Sequence, residues 1–285
     1  MHRLLATLAI TLAAAGTAFA QDATEAGVKV TNHAFHSNAM RGTLHYSVSL
    51  PSGYTTSGKR YPVVYFLHGL PATSHAYRGI AFLAQALRKD GRQAIVVGAQ
   101  GVRGNDTDAE WLDWGAGRNW ETSVAKELVA KIDGRYRTIA NRRGRVLVGL
   151  SAGGYGAALI GNHNPDVFSV FQSWSGYFVP TTPDGSQTLD LGSRKKNRYA
   201  NLYKLVPSTR KRFGPYYRST YFSFYVGTDD GRFLDDNQRL ATEMHDYRVP
   251  HRFYRVYNGG HNMKLWQQHA PTWLGRALQQ AARPR

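Results

Sequence analysis

The sequence contains no cysteine. That absence excludes disulfides, thiol catalysis and a lipid-modified amino-terminal cysteine together. Beyond its first twenty residues the chain also lacks an apolar run long enough to span a bilayer. Acids are scarce: Asp and Glu total 19 against 36 Lys and Arg, a formal charge of +17. Such an excess favours contact with an anionic cell-wall or lipid surface. Nucleic acid is the other usual partner of a basic protein. No nucleic-acid motif is visible and the aromatics fall mostly in strand-like runs, so none is expected. Internal repeats and low-complexity tracts are absent as well.

What the amino terminus does contain is Met1-His2-Arg3, an apolar run from Leu4 to Ala15, and Thr17-Ala18-Phe19-Ala20. A basic start, a short apolar stretch and small residues at an A-x-A site read as a secretory signal peptide cut after Ala20. The expected location is secreted or periplasmic. Without disulfides an exported chain is held by its core alone, and residues 21–285 suffice for one α/β domain.

Val28 to Phe35 and Thr43 to Leu50 read as two leading strands, which could form an antiparallel edge. Apolar runs at 62–67 and 94–99 fit buried parallel strands. Between them, Ile80, Leu83, Ala84 and Leu87 share a face at helical spacing over 77–89. A helix is expected at 120–136, a strand at 145–148, and strands at 168–174, 221–226 and 252–257. Further helices are expected at 234–247 and about 263–282. Alternating strands and helices imply an α/β fold with a mostly parallel central sheet and helices on both faces. Residues 181–220 interrupt the rhythm with nine Lys and Arg against Asp184 and Asp190. They read as a basic, cap-like insertion: a solvated surface, or a cap that selects substrates.

The chemistry gathers at Gly149-Leu150-Ser151-Ala152-Gly153, a G-x-S-x-G stretch between an apparent strand and a helix starting at Gly154. A serine on a strand-to-helix turn projects its hydroxyl from a strained backbone, and the helix start offers unpaired N–H groups. A nucleophilic serine needs a histidine base, and the base needs an acid to hold its tautomer. On this architecture they follow in the order acid, then histidine. Gly227-Thr228-Asp229-Asp230-Gly231 and Gly259-Gly260-His261-Asn262 meet that order, each at a strand's carboxyl end. Asp229 and Asp230 both qualify as the acid. His163, His245 and His251 read as surface residues.

An oxyanion hole needs two backbone donors: Ala152 N–H, after the nucleophile, and one from the loop after an earlier strand. His68-Gly69-Leu70-Pro71 fits, with Leu70 N–H as donor and His68 shaping the loop. Asp106, Asp108, Glu110 and Asp113 raise a metal site as an alternative, but no histidines are spaced among them. Neither metal nor cofactor is expected.

The combination resembles the α/β-hydrolase esterase family that includes esterase D-type enzymes, feruloyl esterases and the mycobacterial mycolyltransferases. The matching stretches are 61–69, Trp120-Glu121-Thr122 with Glu127-Leu128, 148–157, 227–230 and 259–266. The resemblance implies an α/β-hydrolase fold and, from the esterase branch, Asp230 as the acid. Asp113-Trp114 echoes the mycolyltransferase branch, but His68 stands where that branch has a sugar-binding aspartate, and its cysteine pair is missing. The expectation is an exported serine carboxylesterase acting on a small-molecule or polymer-linked ester. An acyltransferase of the mycolyltransferase type, or a catalytically silent cell-wall-binding protein with this fold, are the alternatives.

Overall fold

The computed structural model describes residues 27–249 and 253–282. The leader expected at 1–20, and His251, lie outside the described residues. Eight strands form one sheet in the order β1-β2-β4-β3-β5-β6-β7-β8. The strands are β1 (Thr31–Ser37), β2 (Gly42–Ser49), β3 (Val63–Leu67), β4 (Ile95–Ala99), β5 (Arg145–Leu150), β6 (Val170–Trp174), β7 (Tyr221–Asp229) and β8 (Phe253–Gly260). β1 and β2 form an antiparallel edge joined antiparallel to β4; from β4 to β8 every pairing is parallel. The expected fold class is the one observed, including the antiparallel edge.

The central strands are buried on both faces because helices cover both. Val63, Tyr65 and Leu67 of β3 pack with Leu128, Ile132 and Tyr155, from the helices at 120–135 and Ala152–His163. Val64 and Phe66 point the other way, onto Leu83 and Leu87 of helix Ala81–Lys89 and Trp273 and Leu274 of helix Met263–Ala282. The period of two in the strand thus divides one apolar run between two cores.

Two local details differ from the sequence reading. The helix expected over 77–89 is a short 3-10 turn, Ala76–Arg78, and then Ala81–Lys89. Gly79 separates them, with its own N–H bonded back to Ala76 O. The helix at 120–135 contains a π segment at Ser123–Leu128. In the 181–220 insertion, helices Arg194–Ala200, Leu202–Leu205 and Thr209–Phe213 and the 3-10 turn Val206–Ser208 pack Ala200, Leu202, Tyr203, Leu205, Val206 and Phe213 into the main core. Its basic side chains are exposed except Arg212, which is partly buried.

Candidate active site

Ser151 stands between β5 and helix Ala152–His163 with φ 55° and ψ −126°. A non-glycine residue there is strained and is held by its surroundings. The surroundings are tight. A Cβ on Gly149 would lie 1.9 Å from Gly153 O, and one on Gly153 would lie 2.0 Å from Leu67 O. Both glycines are therefore demanded by close approach, and the helix start is pressed against the end of β3. Ser151 N–H donates to Trp174 O at 2.9 Å, tying the turn to β6.

His261 follows β8 directly and precedes helix Met263–Ala282. Asn262 caps that helix, its Oδ1 accepting from Leu265 N–H at 3.1 Å. The cap sets the direction in which the chain leaves the strand. His261 Nε2 lies 2.9 Å from Ser151 Oγ, and its Nδ1 lies 2.6 Å from Asp230 Oδ1. The Asp230 side chain is fully buried, and Oδ2 accepts from Gly227 N–H at 3.2 Å. The remaining carboxylate oxygen is thus fixed on the imidazole. Asp229 is exposed and accepts a 3.3 Å bond from Thr228 Oγ. The structure brings Ser151, His261 and Asp230 into one hydrogen-bonded line and leaves Asp229 outside it.

Gly69 touches the serine: a Cβ there would lie 3.2 Å from Ser151 Cβ. Leu70 is therefore on the loop beside the hydroxyl, and Ala152 is the first residue of the helix behind it. Among the described residues neither backbone N–H has a hydrogen-bond acceptor. His68 is fully buried, its Nδ1 2.8 Å from Gly69 O, and its Nε2 accepts from Gly101 N–H at 3.1 Å. These bonds require a neutral ring protonated on Nδ1, and burial lowers its pKa to about 4. Its work is to hold the loop.

Sequence reasoning overlooked the walls of the site. Phe233 stacks on the His261 ring and Trp266 meets it edge-on at 5.0 Å. The available signal was spacing: Phe233 lies three residues beyond Asp230 at a helix start, and Trp266 one helical turn beyond the Asn262 cap. His163 corrects another expectation. It is not a surface histidine: its side chain is 7% exposed, bonded to Glu121 at 3.0 Å and stacked on Tyr199 at 3.7 Å. Three of the four acids raised as metal ligands are held by protein partners. Asp106 pairs with Arg118, Asp113 accepts from Thr122, and Glu110 accepts from the Tyr177 hydroxyl.

A mostly parallel sheet with this serine turn, histidine and buried carboxylate defines the α/β-hydrolase class of serine ester hydrolases. The chain belongs to the "Putative esterase" family, whose model matches residues 37–276. Among curated proteins it is similar to an esterase of Mycobacterium tuberculosis, 32% identical over 136 residues, which are 48% of this chain and 30% of that one. It is also similar to an endo-1,4-beta-xylanase/feruloyl esterase of Xylanibacter ruminicola, 34% identical over 139 residues, 46% of this chain and 19% of that one. The matched stretch thus spans under a third of either relative. Among solved structures, a ferulic acid esterase superposes with a TM-score of 0.72 at 25% identity, covering 89% of this chain and 99% of that one. An S-formylglutathione hydrolase of Agrobacterium tumefaciens shares the fold, with a TM-score of 0.69 at 20% identity over 90% of this chain and 96% of that one. No helix of the described residues is long and apolar enough to cross a membrane.

Proposed function

We propose that this protein is an exported serine carboxylesterase that works through an acyl-enzyme on Ser151. The observation that carries the reading is the unbroken line from Ser151 Oγ to His261 Nε2 at 2.9 Å and from His261 Nδ1 to Asp230 at 2.6 Å. Ser151 Oγ attacks the ester carbonyl carbon while His261 Nε2 takes its proton. Leu70 and Ala152 N–H groups hold the resulting oxyanion. Collapse breaks the bond to the alcohol, which leaves with the proton from His261. Water, deprotonated by the same nitrogen, then releases the acid. Asp230 orients the imidazole and stabilises its charged form. The mechanism calls on no metal or cofactor.

Hydrolysis rather than transfer to a sugar is supported by His68. It sits where the mycolyltransferases carry their acceptor-binding aspartate, and it is wholly buried and bonded within its own loop. Export is supported by the amino-terminal sequence pattern. Relatives named as feruloyl esterases make aryl-acid esters of polymers the first substrates to try.

The test is turnover of p-nitrophenyl and feruloyl esters by the parent and by Ser151→Ala. The variant loses only a hydroxyl and should fall by roughly 10³-fold or more with its fold intact. Stoichiometric fluorophosphonate labelling at another residue would overturn the assignment.

A further inference from the structure

A recess of about 430 Å³ opens beside the antiparallel edge, lined by His45, Ser74, His75, Arg78, Gln100 and Arg103 among others. It carries two guanidinium groups and two imidazoles, and no carboxylate lines it. Among the described residues neither arginine has an acidic partner. Arg103 donates instead to the carbonyls of Met40 at 2.7 Å and Gly117 at 3.0 Å. Arg78 Nε donates to Tyr77 OH at 3.3 Å. Neutral acceptors fix the direction of these groups without cancelling their charge, and each guanidinium keeps further N–H donors. Gln100, buried behind them, ties the walls together: its Oε1 accepts from His45 N–H at 2.7 Å and its Nε2 donates to Ser74 O.

The recess lies at the same end of the sheet as Ser151. Ala99 is paired with Leu67, and Leu67 with Gly149. Gln100, His68 and Leu150 therefore stand level, one residue short of the serine. The strand carrying Gln100 is two strand spacings, roughly 10 Å, from the strand carrying Ser151. A substrate one or two sugar units long spans that gap.

We propose that this recess is a subsite for an anionic group, a carboxylate or a phosphate, carried on the alcohol side of the ester. Its role as a substrate subsite rests on the reading of Ser151 as the reacting residue; its affinity for the anion does not. Arginines with free donors can give paired N–H bonds to two oxygens of either anion. The oriented, partly enclosed charges give recognition that a scattered basic surface lacks.

Two measurements on the full chain test this. Calorimetric titration of the Ser151→Ala protein with glucuronate, inorganic phosphate and glucose reads binding without turnover. Glucuronate or phosphate should bind, glucose should not, and Arg78→Gln should weaken the anion about tenfold. Added salt should weaken it too, by screening. Kinetics of the parent then compare one acyl group carried on glucose, glucuronic acid and glucose 6-phosphate. The anionic ester the recess accepts should gain about tenfold in kcat/KM, and Arg78→Gln should erase the gain while leaving the glucose ester unchanged. Which anion responds distinguishes the two sources. Arg103→Gln also removes two loop anchors, so Arg78→Gln carries the test. Equal turnover of all three esters, with neither anion binding, overturns the subsite. Loss of all ester turnover beside intact anion binding would instead overturn the role of Ser151.

Discussion

Phe233 lies flat against the imidazole of His261, ring centroids 4.1 Å apart and planes 19° apart. The stack limits rotation of the ring about the axis that keeps Nε2 on Ser151. In the proposed mechanism the imidazolium of each half-reaction would meet an aromatic face, an attractive arrangement. Phe233 comes from the first turn of helix Arg232–Asp246, which starts two residues after Asp230. One short segment therefore supplies both Asp230 and the platform of the His261 ring.

Phe233→Leu keeps apolar bulk and removes the ring. Aromatic pairs contribute about 0.5–1.5 kcal/mol, so kcat should drop up to about tenfold. KM for a small neutral ester should stay within about twofold, and Phe233→Tyr should restore most of the rate. An unchanged kcat in the leucine variant would show that Trp266 and Asp230 suffice to hold the ring.

Asp230→Asn should be far more damaging than Asp229→Asn. The amide favours the wrong tautomer of His261, a loss of about 10⁴-fold in comparable sites. Asp229 is exposed, and among the described residues its carboxylate accepts only from Thr228 Oγ, so its amide should be nearly neutral. Steady-state kinetics of the two variants decide the matter, and the reverse order would exchange the roles.

Glu110 gives the protein a pH-dependent stability. It is 1% exposed, and burial raises its carboxyl from 4.5 to about 8, against the lowering effect of the Tyr177 hydroxyl bond. The folded state keeps this proton where the unfolded chain has released it. Glu110 therefore leaves stability whole below pH 4.5 and diminishes it progressively as pH rises to about 8. Glu110→Gln can still accept from Tyr177 and cannot ionise. Between pH 5 and pH 8 its Tm should fall less than the parent's, a gap of several degrees opening with pH. Asp108, whose carboxyl burial raises to about 6, contributes equally to both proteins. Parallel Tm curves would show that Glu110 is ionised in the fold.

Arg212 and Lys211 are neighbours with opposite roles. Arg212 donates to Asn162 O, Asn162 Oδ1, Leu205 O and Ser208 Oγ, and burial lowers its pKa to about 10. Lys211 is exposed. Arg212→Gln should cost about 1–3 kcal/mol by leaving buried acceptors unpaired, whereas Lys211→Gln should stay within about 0.5 kcal/mol. Urea denaturation measures both. Comparable losses would mean that the insertion's charge acts collectively.

The parallel strands were legible because apolar runs of five residues at 63–67 and 95–99 leave no solvent face. The serine turn was legible because its glycines are required by contacts within a few residues and with the neighbouring strand. His163 was misread because polar sequence neighbours report nothing about Tyr199, which arrives from the insertion 36 residues later. The π segment at 123–128 was hidden as well, since its apolar stripe is also that of an ordinary helix.

By itself, the sequence determined the α/β order, the serine on its turn, and the acid-then-histidine succession, because those depend on local periodicity and short turns. The choice between Asp229 and Asp230 was not local: adjacent carboxylates have the same chemistry, and only folding buries one against Gly227 and exposes the other. Nor was the meeting of Ser151 with His261, 110 residues apart and three strands distant in the sheet. That span is roughly 14 Å at the usual strand spacing. It closes because β6 stops at Trp174 and β7 and β8 run past it, so the loops after them can lean back over its end. Strand lengths relative to one another are a property of the assembled sheet, and so are the Phe233 platform and the basic recess at its edge.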